Sequence, residues 1–293
     1  MIYNYLLTNL ITYSFLRISS FILSLIPRSF SLYIGSFFGS FMYYFFPLRS
    51  KVAKINLSIA FKNKDNKEIN TILKNTYKHF GKLIIEFIRM HTIRLDNTII
   101  KFDKKYENHL LSDNGVIFMT AHFGNWEVIT SLLHKYKHIT GIARQQKNNG
   151  GNKFFNESRL LDNVTLISNK GSKRKMLRTL IDKKILLIAS DQNAKAHGTY
   201  IDFFGKPCSI PKGAGHFYSS TKSKLLIGFC ILKEDSTYFL KIKNIELKNK
   251  SEQKQDIIVE INKIYSKMLE DIIIEYPEQY FWFHKKWDKG IYK

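Results

Sequence analysis

His122 and Glu127, five residues apart in "MTAHFGNWE" (119–127), are the pair in this 293-residue chain whose types suit proton transfer. A neutral imidazole held by a carboxylate can take a proton from an alcohol as that alcohol attacks an acyl carbonyl. The carboxylate would fix the tautomer and offset the imidazolium that forms. Continuous helix would set the two residues about 140° apart, on different faces, so the pair needs a chain reversal instead. No nucleophile accompanies it: "GxSxG" is absent, and Cys208 and Cys230 stand in no motif. Direct transfer to an acceptor is expected rather than a covalent acyl-enzyme. On spacing alone, a structural histidine is the competing reading.

The surrounding elements supply the reversal. "GVIFM" (115–119), "ITGIA" (139–143), "VTLI" (164–167), "ILLIAS" (185–190), "LLIGFCIL" (225–232) and "TYFLKI" (237–242) read as mostly buried strands. "EVITSLLHKY" (127–136) and "SKRKMLRTLIDK" (172–183) have helical spacing, as do the apolar positions from Ile69 to Ile88. This alternation predicts an α/β fold, a mixed sheet flanked by helices. It places His122 just past a strand, with "FGN" as a turn, Asn125 as a helix cap and Glu127 in the first helical turn. Ligands favour the carboxyl ends of strands in such sheets.

The N-terminus is apolar in two pieces. Residues 6–26 are long enough to span a bilayer as helix, although Arg17 near their middle would cost about 2.5–3.5 kcal/mol there. Residues 30–46 carry no charge and place Gly35 and Gly39 at GxxxG spacing. Arg28, Arg49, Lys51 and Lys54 flank them, as beside anionic headgroups. Membrane anchoring or interfacial lodging is expected for residues 1–47, ahead of a catalytic domain over 48–293.

A formal net charge of +22 points to acidic partners. Lys170, Lys173, Arg174, Lys175, Arg178, Lys183 and Lys184, against Asp182 alone, form a basic stretch that suits an acidic carrier protein or anionic lipid. No nucleic-acid module accompanies it, so nucleic acid is not the expected partner. Two unpaired cysteines suggest neither a disulfide framework nor a metal site, and a reducing, cytoplasmic working face.

Within "AHFGNWE" the His-x-x-x-x-Glu spacing resembles the acyltransferase signature in the form used by the lipid A biosynthesis (late) acyltransferases, the lauroyl/myristoyl type. "LRSKVAKINLSIAF" (48–61), "SDQNAKAHGTYIDFFGKP" (190–207) and "YPEQYFWFHKKW" (276–287) resemble further blocks of that family in the same order. The resemblance implies a glycerophosphate-acyltransferase-like fold behind N-terminal membrane-associated helices. It makes His122 the general base and Glu127 its partner, with Arg144, Arg159, Asp191 and Gln192 binding substrate. Phe203, Phe204 and Gly205 match a block expected to pack or to shape an acyl groove. In the last block Lys285 and Lys286 replace the family's arginines and lose the planar fork that grips phosphate.

The expected activity is O-acyl transfer from acyl carrier protein to a hydroxyl of a lipid A precursor in lipopolysaccharide biosynthesis, at the cytoplasmic face of a bacterial inner membrane. No metal or resident cofactor is expected; acyl carrier protein or coenzyme A brings the acyl chain as co-substrate. The alternatives are transfer to another glycolipid or phospholipid, and a non-catalytic basic protein bound at the membrane surface.

Overall fold

The computed structural model describes residues 2–95, 99–143, 145–168, 173–247 and 253–293. The strands are β1 (Ile100–Phe102), β2 (Val116–Thr120), β3 (Ile139–Ala143), β4 (Val164–Ser168), β5 (Ile185–Ala189), β6 (Thr199–Phe203), β7 (Lys206–Ile210), β8 (Lys224–Leu232) and β9 (Tyr238–Asn244). The helices are α1 (Ile2–Ser24), α2 (Arg28–Phe45), α3 (Ser50–Ala60), α4 (Asn66–Ile88), α5 (Met90–Leu95), α6 (Glu107–Leu111), α7 (Val128–Leu133), α8 (Asn149–Arg159), α9 (Lys173–Ile181), α10 (Gly213–Thr221) and α11 (Lys254–Glu275).

Seven strands form one sheet in the order β1-β9-β8-β2-β5-β3-β4, parallel except for the β8–β9 pair. β2, at its centre, is buried along its whole length. Its side chains alternate between two cores, as the two-residue period of a strand requires. Ile117 and Met119 join α11 and the C-terminal aromatics on one face, whereas Val116 and Phe118 meet α5 and α7 on the other. A sheet covered on both faces explains why its strands read as unbroken apolar runs. The expected mixed α/β sandwich is therefore the observed fold.

β6 and β7 pair as a separate antiparallel ribbon, which the sequence reading did not separate from loop. It also passed over α11, whose buried Ile257, Ile261, Tyr265, Leu269 and Ile272 recur at helical spacing. α7 ends at Leu133, three residues short of the helix expected there.

The glycines of residues 30–46 act inside the protein. A Cβ on Gly39 would lie 2.1 Å from the Tyr77 carbonyl oxygen, and one on Gly81 2.0 Å from that of Gly35, so α2 and α4 touch backbone to backbone. α2 thus shares its packing with the larger unit, while Phe30, Tyr33, Phe37, Phe38 and Phe45 on its other side stay exposed. Among the described residues one helical stretch, Leu6–Ser24, is long and apolar enough to cross a membrane. Gly39→Val should force α2 off α4 and lower stability by about 1–3 kcal/mol, as overpacking does. Urea unfolding in detergent measures it.

Candidate active site

Register brings the central pair together. β2 and β5 are parallel neighbours with Thr120 opposite Ala189. His122 and Asp191 each lie two residues beyond those positions, so two adjacent strand ends deliver an imidazole and a carboxylate to one place. His122 Nδ1 is 2.8 Å from Asp191 Oδ1. The carboxylate accepts, so Nδ1 carries the proton and Nε2 is the nitrogen through which a substrate proton can be taken.

The carboxylate on the imidazole is thus Asp191, where Glu127 was expected. Glu127 stands at the start of α7 and is gripped by Arg159, with Nε to Oε2 at 2.9 Å and Nη2 to Oε1 at 2.7 Å. Trp126 Nε1 donates to the same carboxylate at 3.2 Å. A two-pronged guanidinium holds a carboxylate better than one imidazole N–H can. Glu127 still acts on His122 through its charge.

Burial opposes protonation of His122, but the charge and hydrogen bond of Asp191, with Glu127 behind them, outweigh it and raise its pKa above the usual 6.5. Asp191 has no exposed surface. Burial works against its ionisation too, yet His122, His284 and Lys286 together hold the carboxyl well below the ordinary carboxylate range. Asp191, expected among the substrate contacts, has its Oδ1 on the ring, while its Oδ2 is buried without a hydrogen-bond partner. Gln192 is exposed, and Arg144 lies outside the described residues.

The turn between His122 and Glu127 is fixed from two sides. Gly124 has φ +55, and a Cβ there would lie 1.8 Å from the Cys230 carbonyl oxygen, so only glycine fits. Gly124 N donates to Gln279 O, Asn125 N to Cys230 O, and Phe281 N to His122 O. The block "YPEQYFWFHKKW" therefore serves as scaffold. Lys286 is buried and donates to the backbone oxygen of Asp191 at 2.5 Å, so it does not face a phosphate. Burial lowers the His284 pKa to about 4. Phe203 packs against Trp287 and Tyr280 in the core and does not shape a groove.

A groove exists elsewhere. An apolar cavity of about 720 Å³ runs between α1, α2 and α4, lined by Leu16, Phe38, Met42, Leu83 and Ile84 among others, and ends at Trp126, Glu127, Arg159 and Phe281. The ring of Trp126, which lines the cavity, lies edge-on to His122 with centroids 5.0 Å apart. Arg159 joins the cavity to the turn between His122 and Glu127. Burial opposes its charge, but Glu127 overrides this and raises its pKa. Of the basic stretch, Lys173, Arg174, Lys175 and Arg178 are exposed on α9, Arg178 pairs with Asp182, and Lys170 lies outside the described residues.

Asn125 does not cap α7. It is buried and its amide donates to the Tyr238 hydroxyl at 2.9 Å. Tyr238 in turn donates to Glu86 Oε2 at 2.8 Å, and Glu86, with no exposed side-chain surface, is held by Arg28 at the start of α2. The sequence reading missed this chain, whose one visible signal was Glu86 inside the apolar stripe of α4. Tyr238→Phe should strip a partner from both Asn125 and Glu86 and cost about 1–3 kcal/mol, the usual effect of leaving buried polar groups unsatisfied. The thermal midpoint should fall.

A buried acid on an imidazole at adjacent strand ends, beside an apolar cavity, is an arrangement for proton transfer to or from a lipid-like substrate. No curated protein sequence matches the chain. A family model described as bacterial lipid A biosynthesis acyltransferase matches residues 3–289. The chain belongs to that family, and its activity is acyl transfer.

Proposed function

We propose that the chain moves a fatty acyl group from acyl carrier protein to a hydroxyl of a lipid A precursor at the cytoplasmic face of the inner membrane. The observation that carries the reading is the His122–Asp191 pair beside the apolar cavity, next to its lining rings Trp126 and Phe281. In this reading the cavity holds the acyl chain, with the thioester at its Trp126–Arg159 end. Nε2 of His122 takes the acceptor hydroxyl proton as that oxygen attacks the thioester carbonyl carbon. The C–O bond forms, the tetrahedral intermediate expels the thiolate as the C–S bond breaks, and the imidazolium protonates the thiolate. Ester and free thiol result, and the histidine returns to its neutral form.

Asp191 orients the ring and offsets its charge, as the acid of a hydrolase triad does. Arg159, kept in place by Glu127, is suited to stabilise negative charge on the thioester oxygen or to hold an acceptor phosphate. Purified protein incubated with acyl carrier thioester or acyl coenzyme A, each with lipid A precursor or phospholipid, tests the reading through the lipid product. Acylation of phospholipid alone would overturn the acceptor, and preference for the coenzyme A thioester would overturn the donor.

His122→Ala should lower the rate by roughly 10²–10⁴-fold with little loss of lipid binding. The base must be neutral, so kcat/KM should rise with pH through a midpoint above 6.5, the raised His122 pKa. Asp191→Asn removes the anion that raises it, so the midpoint should move to lower pH while the rate falls. Glu127→Gln should move the midpoint less, since Glu127 exerts the weaker pull. A pH profile that ignores Asp191→Asn would remove Asp191 from the mechanism.

If exposed Lys173, Arg174 and Lys175 dock an acidic carrier, reversing their charges should raise KM for the carrier thioester, reduce its salt dependence and spare kcat. Unchanged carrier kinetics would make them a solvated face.

A further inference from the structure

α1 is built the wrong way round for a soluble helix. Asn9, Thr12, Tyr13, Leu16 and Ser20 fall on one stripe at steps of three and four, and that mostly polar stripe faces the protein. Asn9 Oδ1 accepts from Asn149 N at 3.0 Å, Thr12 Oγ1 from Asn148 Nδ2 at 3.3 Å, and Tyr13 donates to Glu157 at 2.9 Å, all on or beside α8. Ser20 donates to Ile88 O at the end of α4 at 2.8 Å. Contact is close: a Cβ on Gly150 would lie 1.8 Å from the Asn9 carbonyl oxygen. The opposite face, with Leu7, Ile11, Phe15, Ile18 and Ile22, is exposed, Phe15 by 66%.

A bilayer span needs about 20 residues, roughly 30 Å of helix, surrounded by lipid. From Asn9 to Ser20 α1 is instead tied to α8 and α4 over about 16 Å. Standing α1 upright would carry Asn148, Lys153 and Glu157 to hydrocarbon depth with it, where each unsatisfied polar group costs several kcal/mol. Pulling it free would strip Asn9, Tyr13 and Ser20 of their partners there. Lying flat removes both costs. Arg17, exposed and about 80° round the helix from Asn9, then sits at the border of the two faces, level with headgroups. Exposed Lys51 and Lys54, just after exposed Leu48 on the cavity rim, complete a basic margin suited to anionic lipid.

We propose that α1 lies in the plane of the membrane interface and does not cross the bilayer, and that the occupant of the apolar face formed by α1, α2 and Ile84 is an anionic lipid surface into which the cavity opens. This placement depends on lipid as the partner and not on the transfer chemistry.

The test labels single-cysteine variants of the full chain, Leu7→Cys, Phe15→Cys and Ile22→Cys, with a fluorophore; both native thiols are buried. The protein is bound to sealed vesicles of phosphatidylglycerol and phosphatidylethanolamine with bromines at graded acyl depths. All three labels should report one shallow depth, and binding should weaken in vesicles of phosphatidylcholine alone. A deep Phe15 label between two shallow ones would mean a span and overturn the proposal. So would absence of quenching at all three, as when a second copy covers the face. A variant that fails to fold is replaced by Ile11→Cys or Ile18→Cys. An impermeant thiol reagent added outside should reach a cysteine placed ahead of Met1 and Lys289→Cys alike; protection of the first alone would again mean a span. Every readout is physical, so an inactive protein still decides the placement.

Discussion

One buried charge, the carboxylate of Asp191, organises the site. Removing a carboxylate from water is costly unless partners compensate it, and removal of a single partner leaves the cost uncovered. Here compensation comes from the His122 ring, from the Lys286 ammonium on the Asp191 carbonyl and from the positive surroundings. The same charge raises the proton affinity of the imidazole, so one interaction both holds the site together and tunes the ring. The rest of the structure keeps two strand ends in register: Ser190 N donates to Thr120 O, the Tyr265 hydroxyl donates to the same oxygen, and the C-terminal segment clamps the turn after His122.

Two carboxylates with different neighbours take different work. Asp191, buried against a ring, tunes the base. Glu127 has only 15% of its side chain exposed and is matched by a guanidinium, so it forms a nearly neutral pair whose exposed edge belongs to the cavity. Had Glu127 bonded His122, Arg159 would carry an unpaired charge at the end of an apolar cavity. Separating the roles lets an arginine line an apolar cavity as one half of an ion pair.

The strands and the long α4 were legible because apolar period and turn residues are local. His122 stood out because it lies just past a buried strand and before a glycine turn, at the sheet end where ligands favour binding. The partner of His122 was not, since adjacency of β2 and β5 is a property of strand order: residues 122 and 191 are neighbours only once the sheet is built. Asp191 was singled out as a substrate contact; its place against the ring was not legible, because sequence shows a carboxylate at a strand end and not which way it is buried. Asn125 read as a cap because asparagine before a helix usually is one, and here Tyr238, from a distant strand, claimed its amide. Glu86 held the clearest unread clue.

The N-terminal helices join these levels. α2 meets α4 through glycine backbones, so it cannot shift without the helix that carries Glu86. Glu86 reaches the catalytic turn through Tyr238 and Asn125. α1 presents its apolar face outward while its polar stripe holds α8, whose last residue is Arg159. Both helices at the cavity mouth are therefore coupled rigidly to both ends of the reacting centre. In the proposed reading this coupling is needed, because an acceptor hydroxyl held at a fixed height in a bilayer meets His122 only if His122 is held at a matching height. A loosely tethered anchor would leave that height to chance, whereas helices packed backbone to backbone set it.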